Sequence, residues 1–240
     1  MLQKFVEKIL SLDAIRQEKI GDHIYTKDGL SIVHPPQHSK PAVLGFKTLQ
    51  GLADYMNSQI DPERVEDSKL FVHVFDFDKV FIYGNIDPMN ENIRFKYCEA
   101  GLDATAFKFD QFHDLERFII ALQSLFVYDE VIGGMIDMLG KLANETVVEN
   151  KDDKFSQTIQ VTTGITTRSK VKVENPLTLR PYRTFREIEQ PSSQFILRLR
   201  NQGGINCSLY EADGGAWKLA AIANIKKWLS EKIPQSTVIG

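Results

Sequence analysis

The chain has 240 residues, a formal net charge of −3, and hydrophobic, aromatic and charged shares of 42%, 10% and 25%. These shares fit a soluble globular protein and exclude collagen-like, coiled-coil and wholly disordered chains. No run approaches the roughly 18 consecutive apolar residues of a membrane-spanning helix, and Met1 to Leu10 mixes charges with its apolar residues, unlike a secretory signal.

Met1 to Ala14 spaces Leu2, Phe5, Val6, Ile9 and Leu10 as a helical stripe. Tyr25 to Val33 reads as a hairpin around Asp28-Gly29. His34 to Pro41 holds three prolines and is expected to be irregular. Thr48 to Gln59 is a helix with Leu49, Leu52, Ala53 and Met56 on one face, and Asp61 to Ser68 is a polar connector. Leu70 to Tyr83, rich in β-branched and aromatic residues, gives two antiparallel strands turning at Asp78-Lys79, and Ile93 to Cys98 adds a third. Asp110 is the expected N-cap of a helix carrying Phe112, Leu115, Ile119, Leu122 and Phe126. A second helix spans Asp129 to Ala143; Gly133, Gly134 and Gly140 weaken it by roughly 1 kcal/mol each and imply close packing there.

Glu145 to Lys154 is expected as an exposed charged loop. Strands follow at Thr158 to Thr163, Lys170 to Glu174, Leu177 to Arg183, Gln194 to Arg200 and Ile205 to Tyr210, the last two joined by a turn at Asn201 to Gly204. Gly215 to Lys232, capped by Asp213, closes the chain as an amphipathic helix. The order is α+β, with mixed or antiparallel sheets, a central helical pair and a C-terminal amphipathic helix. No Pro/Gly/Ser linker divides it, so residues 1–240 are read as one interlocked unit. An acidic subdomain 1–150 and a basic β-rich subdomain 151–240 are the alternative. Their formal charges are −9 and +6. Opposite signs fit docking of one part on the other, association of copies, or a polyanion on the basic part, and the first two need no extra partner.

Chemistry-bearing residues are few. Cys98 and Cys207 are too few for a disulfide scaffold and are expected as reduced core thiols in a cytoplasmic protein. Asp76 and Asp78 project from one strand face, where with Asp87 and Glu99 they could hold a divalent cation for a hydrolase; the plainer reading is a hairpin tip. His23, His34, His38, His73 and His113 lack zinc-ligand spacing and a neighbouring nucleophile. Gly214-Gly215 precedes a helix, which fits an anion site or, more simply, a flexible lead into the helix. Arg180, Arg183 and Arg186 interleave with Tyr182 and Phe185, and Arg198 and Arg200 share one strand face. Such text suits single-stranded nucleic acid through phosphate pairing and base stacking. The alternative is that Tyr182 and Phe185 are core while the arginines pair with Glu187, Glu189 or the acidic part. A pI near 6.0 lies below the basic signature of a dedicated binder.

The layout resembles the YfdQ-like family of phage and prophage proteins. The resemblance is carried by Thr48-Leu-Gln-Gly-Leu-Ala-Asp-Tyr-Met-Asn57, Leu115-Glu-Arg-Phe-Ile119, the Asp129 to Leu142 helix, Leu177-Thr-Leu-Arg-Pro181, Phe195-Ile-Leu-Arg-Leu-Arg200 and Val238-Ile-Gly240. Ala106-Phe107-Lys108-Phe109 stands where the family usually carries a tryptophan-rich stretch. The resemblance implies a bacteriophage or prophage protein in the host cytoplasm; it carries over no reaction and no functional residue. The leading expectation is a non-enzymatic protein acting by self-association and binding, with no catalytic residue, cofactor or membrane contact. An accessory nucleic-acid binder using Arg180, Arg183, Arg186, Arg198 and Arg200, in phage DNA metabolism or defence evasion, is the alternative. A host protein is a further partner class, and a hydrolase at Asp76 and Asp78 ranks last.

Overall fold

The structure, a computed structural model, describes residues 3, 4, 6, 17–20, 23–26, 42–58, 60, 70–87, 93–143, 146–152, 156–163, 167–201 and 203–240. Two compact units divide the chain: Met1–Pro41 with Asn85–Phe95, and Ala42–Gly84 with Lys96–Gly240. In the first, β1 (Gln17–Ile20) and β2 (His23–Thr26) form an antiparallel pair with Gln17 opposite Thr26. The expected Met1 to Ala14 helix, the Asp28-Gly29 turn, the proline segment 34–41 and the connector 61–68 lie outside the described residues, apart from residues 3, 4 and 6.

A five-stranded mixed sheet has the order β14-β4-β5-β6-β3. Its members are β3 (Leu44–Phe46), β4 (Phe71–Asp76), β5 (Lys79–Asp87), β6 (Ile93–Gly101) and β14 (Thr237–Ile239). β4 and β5 are antiparallel and turn at Phe77-Asp78, whereas β14 lies parallel to β4 and β3 parallel to β6. Side chains alternate across a strand. Val72, Val74, Val80 and Ile82 therefore enter one core, packed against α1 (Leu49–Ser58) and α4 (Trp217–Lys232). Burying side chains of this size contributes roughly 1.5–3 kcal/mol each.

A second core lies on an antiparallel sheet, β11-β12-β13-β7. It comprises β7 (His113–Asp114), β11 (Leu177–Leu179), β12 (Ser193–Asn201) and β13 (Ile205–Glu211), covered by α2 (Leu115–Leu125) and α3 (Glu130–Ala143). Phe195, Leu197 and Leu199 face the helices; Ile196, Arg198 and Arg200 alternate with them. Strands β8 (Thr146–Asp152), β9 (Ser156–Thr163) and β10 (Thr167–Glu174) form an antiparallel meander. Strands from both sides of residue 150 share sheets: β14 pairs with β4, and β7 with β13. The fold is α+β.

Several local expectations change. Asp110 does not cap α2: it sits at φ 58 in a turn. Asp114 takes the capping role, its carboxylate accepting from the Arg117 amide at 2.9 Å. The charged stretch after residue 145 is strand β8 rather than a loop, because a backbone ladder is indifferent to side-chain charge and Thr146 and Val147 favour extended structure. The strand expected through Arg183 stops at Leu179, where Pro181 lacks an N–H. The chain there crosses to the end of α2 instead, Tyr182 N donating to Leu125 O and Val127 N to Arg180 O. Gly214 (φ 63) and Gly215 (φ 83) take the left-handed conformation in the turn that leads into α4.

Candidate binding surfaces

The five arginines nominated from the sequence do not form one ridge. Arg183 is interior, 5% exposed, with its guanidinium 3.7 Å over the Trp217 ring and bonded to Glu211 and to the Ser193 hydroxyl. The Phe195 and Phe109 rings lie 5.6 and 5.9 Å away. Burial pushes the Arg183 pKa down to about 10, against the pull of Glu211 and Asp213, so it stays charged at neutral pH. Burial would also push the Asp213 carboxyl up. Hydrogen bonds from Ser193 and the Gly215 and Trp217 amides, with the Arg183 charge, outweigh it and hold that carboxyl below its ordinary value.

Arg180 reaches Asp129 at 3.5 Å, and Arg186 is exposed and lies 3.6 Å over the Tyr182 ring. On the opposite face of β12 from Phe195, Arg200 lies 3.8 Å over the Phe112 ring, with partly buried Arg198 beside it. Phe185 is core, as the plainer sequence reading had it, while Tyr182 is partly buried. Glu187 does not pair with these arginines. Its carboxylate accepts from the Leu49 and Gln50 amides at 2.7 and 3.3 Å, capping α1 from 138 residues away.

That cap borders an open cleft of about 750 Å³ lined by Lys47, Thr48, Leu102, Phe185, Arg186 and Glu187, among others. The amides that would attract an anion to the helix start are taken by the protein's own carboxylate. Lys47 at the rim is 3.1 Å from Asp103.

Asp76 ends β4 and Asp78 lies in the β4–β5 turn. The Asp76 carboxylate accepts from the Phe77 amide at 2.7 Å, the Asp78 carbonyl from the Leu102 amide at 3.0 Å, and the Phe77 carbonyl from the Thr184 hydroxyl at 2.5 Å. These contacts fasten a hairpin tip. Asp87 ends β5, and Glu99 is held by Lys96 at 2.7 Å. Among the described residues, no three His, Cys, Asp or Glu side chains gather as a ligand set. His113 bonds the Lys108 carbonyl at 2.9 Å, His23 lies in β2, and His34 and His38 lie outside the described residues. Cys98 and Cys207 are buried thiols not joined as a disulfide, and burial, helped by Asp114, pushes the Cys207 thiol up to about 12.

The feature that sequence reasoning missed is the outer face of β4 and β5. Phe71, His73, Phe75, Phe81 and Tyr83 point away from the helices and touch one another. Ring centroids are 5.5 Å apart for Phe75–Phe81, 5.9 Å for Phe81–Tyr83, His73–Phe75 and Phe71–Tyr83, and 6.3 Å for His73–Tyr83. Phe75 is 58% exposed, and Ile239 of β14, 42% exposed, extends the layer in register with His73. At its margin Lys96 lies 5.0 Å from the Phe81 centroid. In the sequence this strand is apolar at every position from Leu70 to Phe75 except His73, so its text matches a strand buried on both faces. No family model matches the chain, and no curated protein or solved structure matches it.

Proposed function

We propose that the protein acts without covalent chemistry, as a binding protein that associates with itself. A bacteriophage or prophage origin and action in the host cytoplasm, which the YfdQ-like resemblance implies, belong to the same reading. One observation carries it. Of the nominated arginines, Arg180 and Arg183 meet Asp129 and Glu211, and Arg186 and Arg200 lie over rings, while large apolar side chains stand exposed on regular elements. Phe75 on β4 and Ile120 on α2 are 58% and 54% exposed. Exposed apolar surface is what protein–protein contact consumes, whereas a polyanion needs uncommitted cations. Gel filtration with light scattering over a concentration series tests the reading: a mass that rises above one chain is expected, and a strict monomer removes self-association.

A second reading has its own support. Arg186 on Tyr182 and Arg200 on Phe112 are exposed arginine–ring pairs, the parts from which single-stranded nucleic-acid sites are built. Salt-sensitive retention of an oligonucleotide is its expected signature, and no retention at low salt removes it.

A further inference from the structure

We infer that the aromatic outer face of β4 and β5 is the surface on which a second copy of the chain docks, about a two-fold axis that sets the face against itself. The inference rests on the self-association reading and names its surface. A two-fold contact is self-complementary by construction, so a face needs only to match its own image. This one does. Its centre is aromatic, with Phe81 in ring contact with Phe75 and Tyr83, and His73 in contact with the same two rings. Its charges come as opposite pairs: Lys96 is bonded to Glu99, and Lys79 stands opposite Asp76 across the β4–β5 register. Under a two-fold axis a rim carrying one cation beside one anion meets the reverse order on its partner.

Charge also decides against the other occupant that an aromatic sheet face invites. A single strand of nucleic acid stacks its bases on such rings, yet its phosphates require cations beside them. Lys96, at the margin of this face, is already bonded to Glu99 at 2.7 Å. A second apolar face needs no counter-charge. Aromatic side chains at the centre of a contact also carry most of its strength, so a single well-chosen substitution reads it out.

Sedimentation equilibrium of the full chain tests the inference, with wild type, Phe75→Asp and Leu219→Asp compared. Phe75 is exposed, so its loss leaves the core intact; circular dichroism and a thermal melt check the fold, and Phe75→Ser replaces any variant that does not fold. The expected result is a self-associating wild type, at least about thirtyfold weaker association in Phe75→Asp, and no change in Leu219→Asp, the exposed apolar control on α4. Unchanged association in both Phe75 variants overturns the surface while self-association stands. A wild type monomeric at every concentration overturns both. A monomeric wild type that binds fluorescein-labelled oligothymidylate, with binding lost in Phe75→Asp, assigns the face to nucleic acid and overturns the inference.

Discussion

Arg183 joins the two cores. Its neighbours Thr184 and Phe185 reach the five-stranded sheet and its helices, while its own guanidinium sits among Trp217, Phe195 and Phe109. A planar guanidinium can stack and bond in its own plane together, which a lysine ammonium cannot. Removing one partner of a buried pair leaves the other without its counter-charge, but Glu211 is about a third exposed and can recover water. Arg183→Leu is therefore expected to cost about 2–4 kcal/mol in urea unfolding; a loss within the scatter of surface substitutions would show that the stack does not join the cores. Asp213 gives the pH dependence. Its folded carboxyl pKa is depressed, so its contribution is complete above the ordinary carboxylate range and is lost as pH falls through the lowered value. Asp213→Asn is expected to flatten the acid limb of the stability–pH curve and to change its slope little above pH ~6. An unaltered acid limb would contradict this.

At the scale of elements, the helices owe their ends to partners of different reach. α2 is capped locally by Asp114 and α3 by Asp129, which accepts from the Ile132 amide at 3.0 Å, whereas α1 joins a local cap, the Thr48 hydroxyl accepting from the Gly51 amide at 3.1 Å, to one from distant Glu187. The glycines of α3 are not all packing sites. A Cβ at Gly133 would lie 3.1 Å from the Tyr128 hydroxyl, but one at Gly134 would meet no atom within 4 Å. Gly134→Ala is accordingly expected to stabilise the protein by roughly 0.5–1 kcal/mol through helix propensity and unfolded-state entropy. A lowered melting temperature would mean that something occupies that space. The elements legible in the sequence are those whose own pattern specifies them. The stripe Leu49, Leu52, Ala53 gives α1, Trp217, Ala221, Ile225, Leu229 gives α4, and the apolar run around Phe77-Asp78 gives the β4–β5 hairpin. β7 and β14, two and three residues long, exist because β13 and β4 offer ladder partners, and nothing within two or three residues announces that. The aromatic face was hidden for the converse reason: Phe71 and Phe75 on one side and Val72 and Val74 on the other are equally apolar, and only helix placement decides which side is covered.

Over the whole molecule, charge is distributed differently from what the sequence order suggests. The acidic and basic parts of the chain are interwoven through shared sheets, and contacts such as Arg180 with Asp129 and Glu187 with the α1 amides tie one to the other. The polarity read along the chain is thus partly answered within one copy. Of the arginines nominated from the sequence, two are paired with carboxylates and three lie over rings; apart from Arg186 on Tyr182, four residues away, linear spacing does not reveal these partners, which stand up to 88 residues off. Self-association is tested most directly by the native mass of the purified particle at micromolar concentration, with any nucleic acid carried along recorded in the same spectrum. The expected result is at least twice 27.3 kDa with no nucleic acid. A particle of one chain, at 27.3 kDa across the whole concentration range, would contradict it.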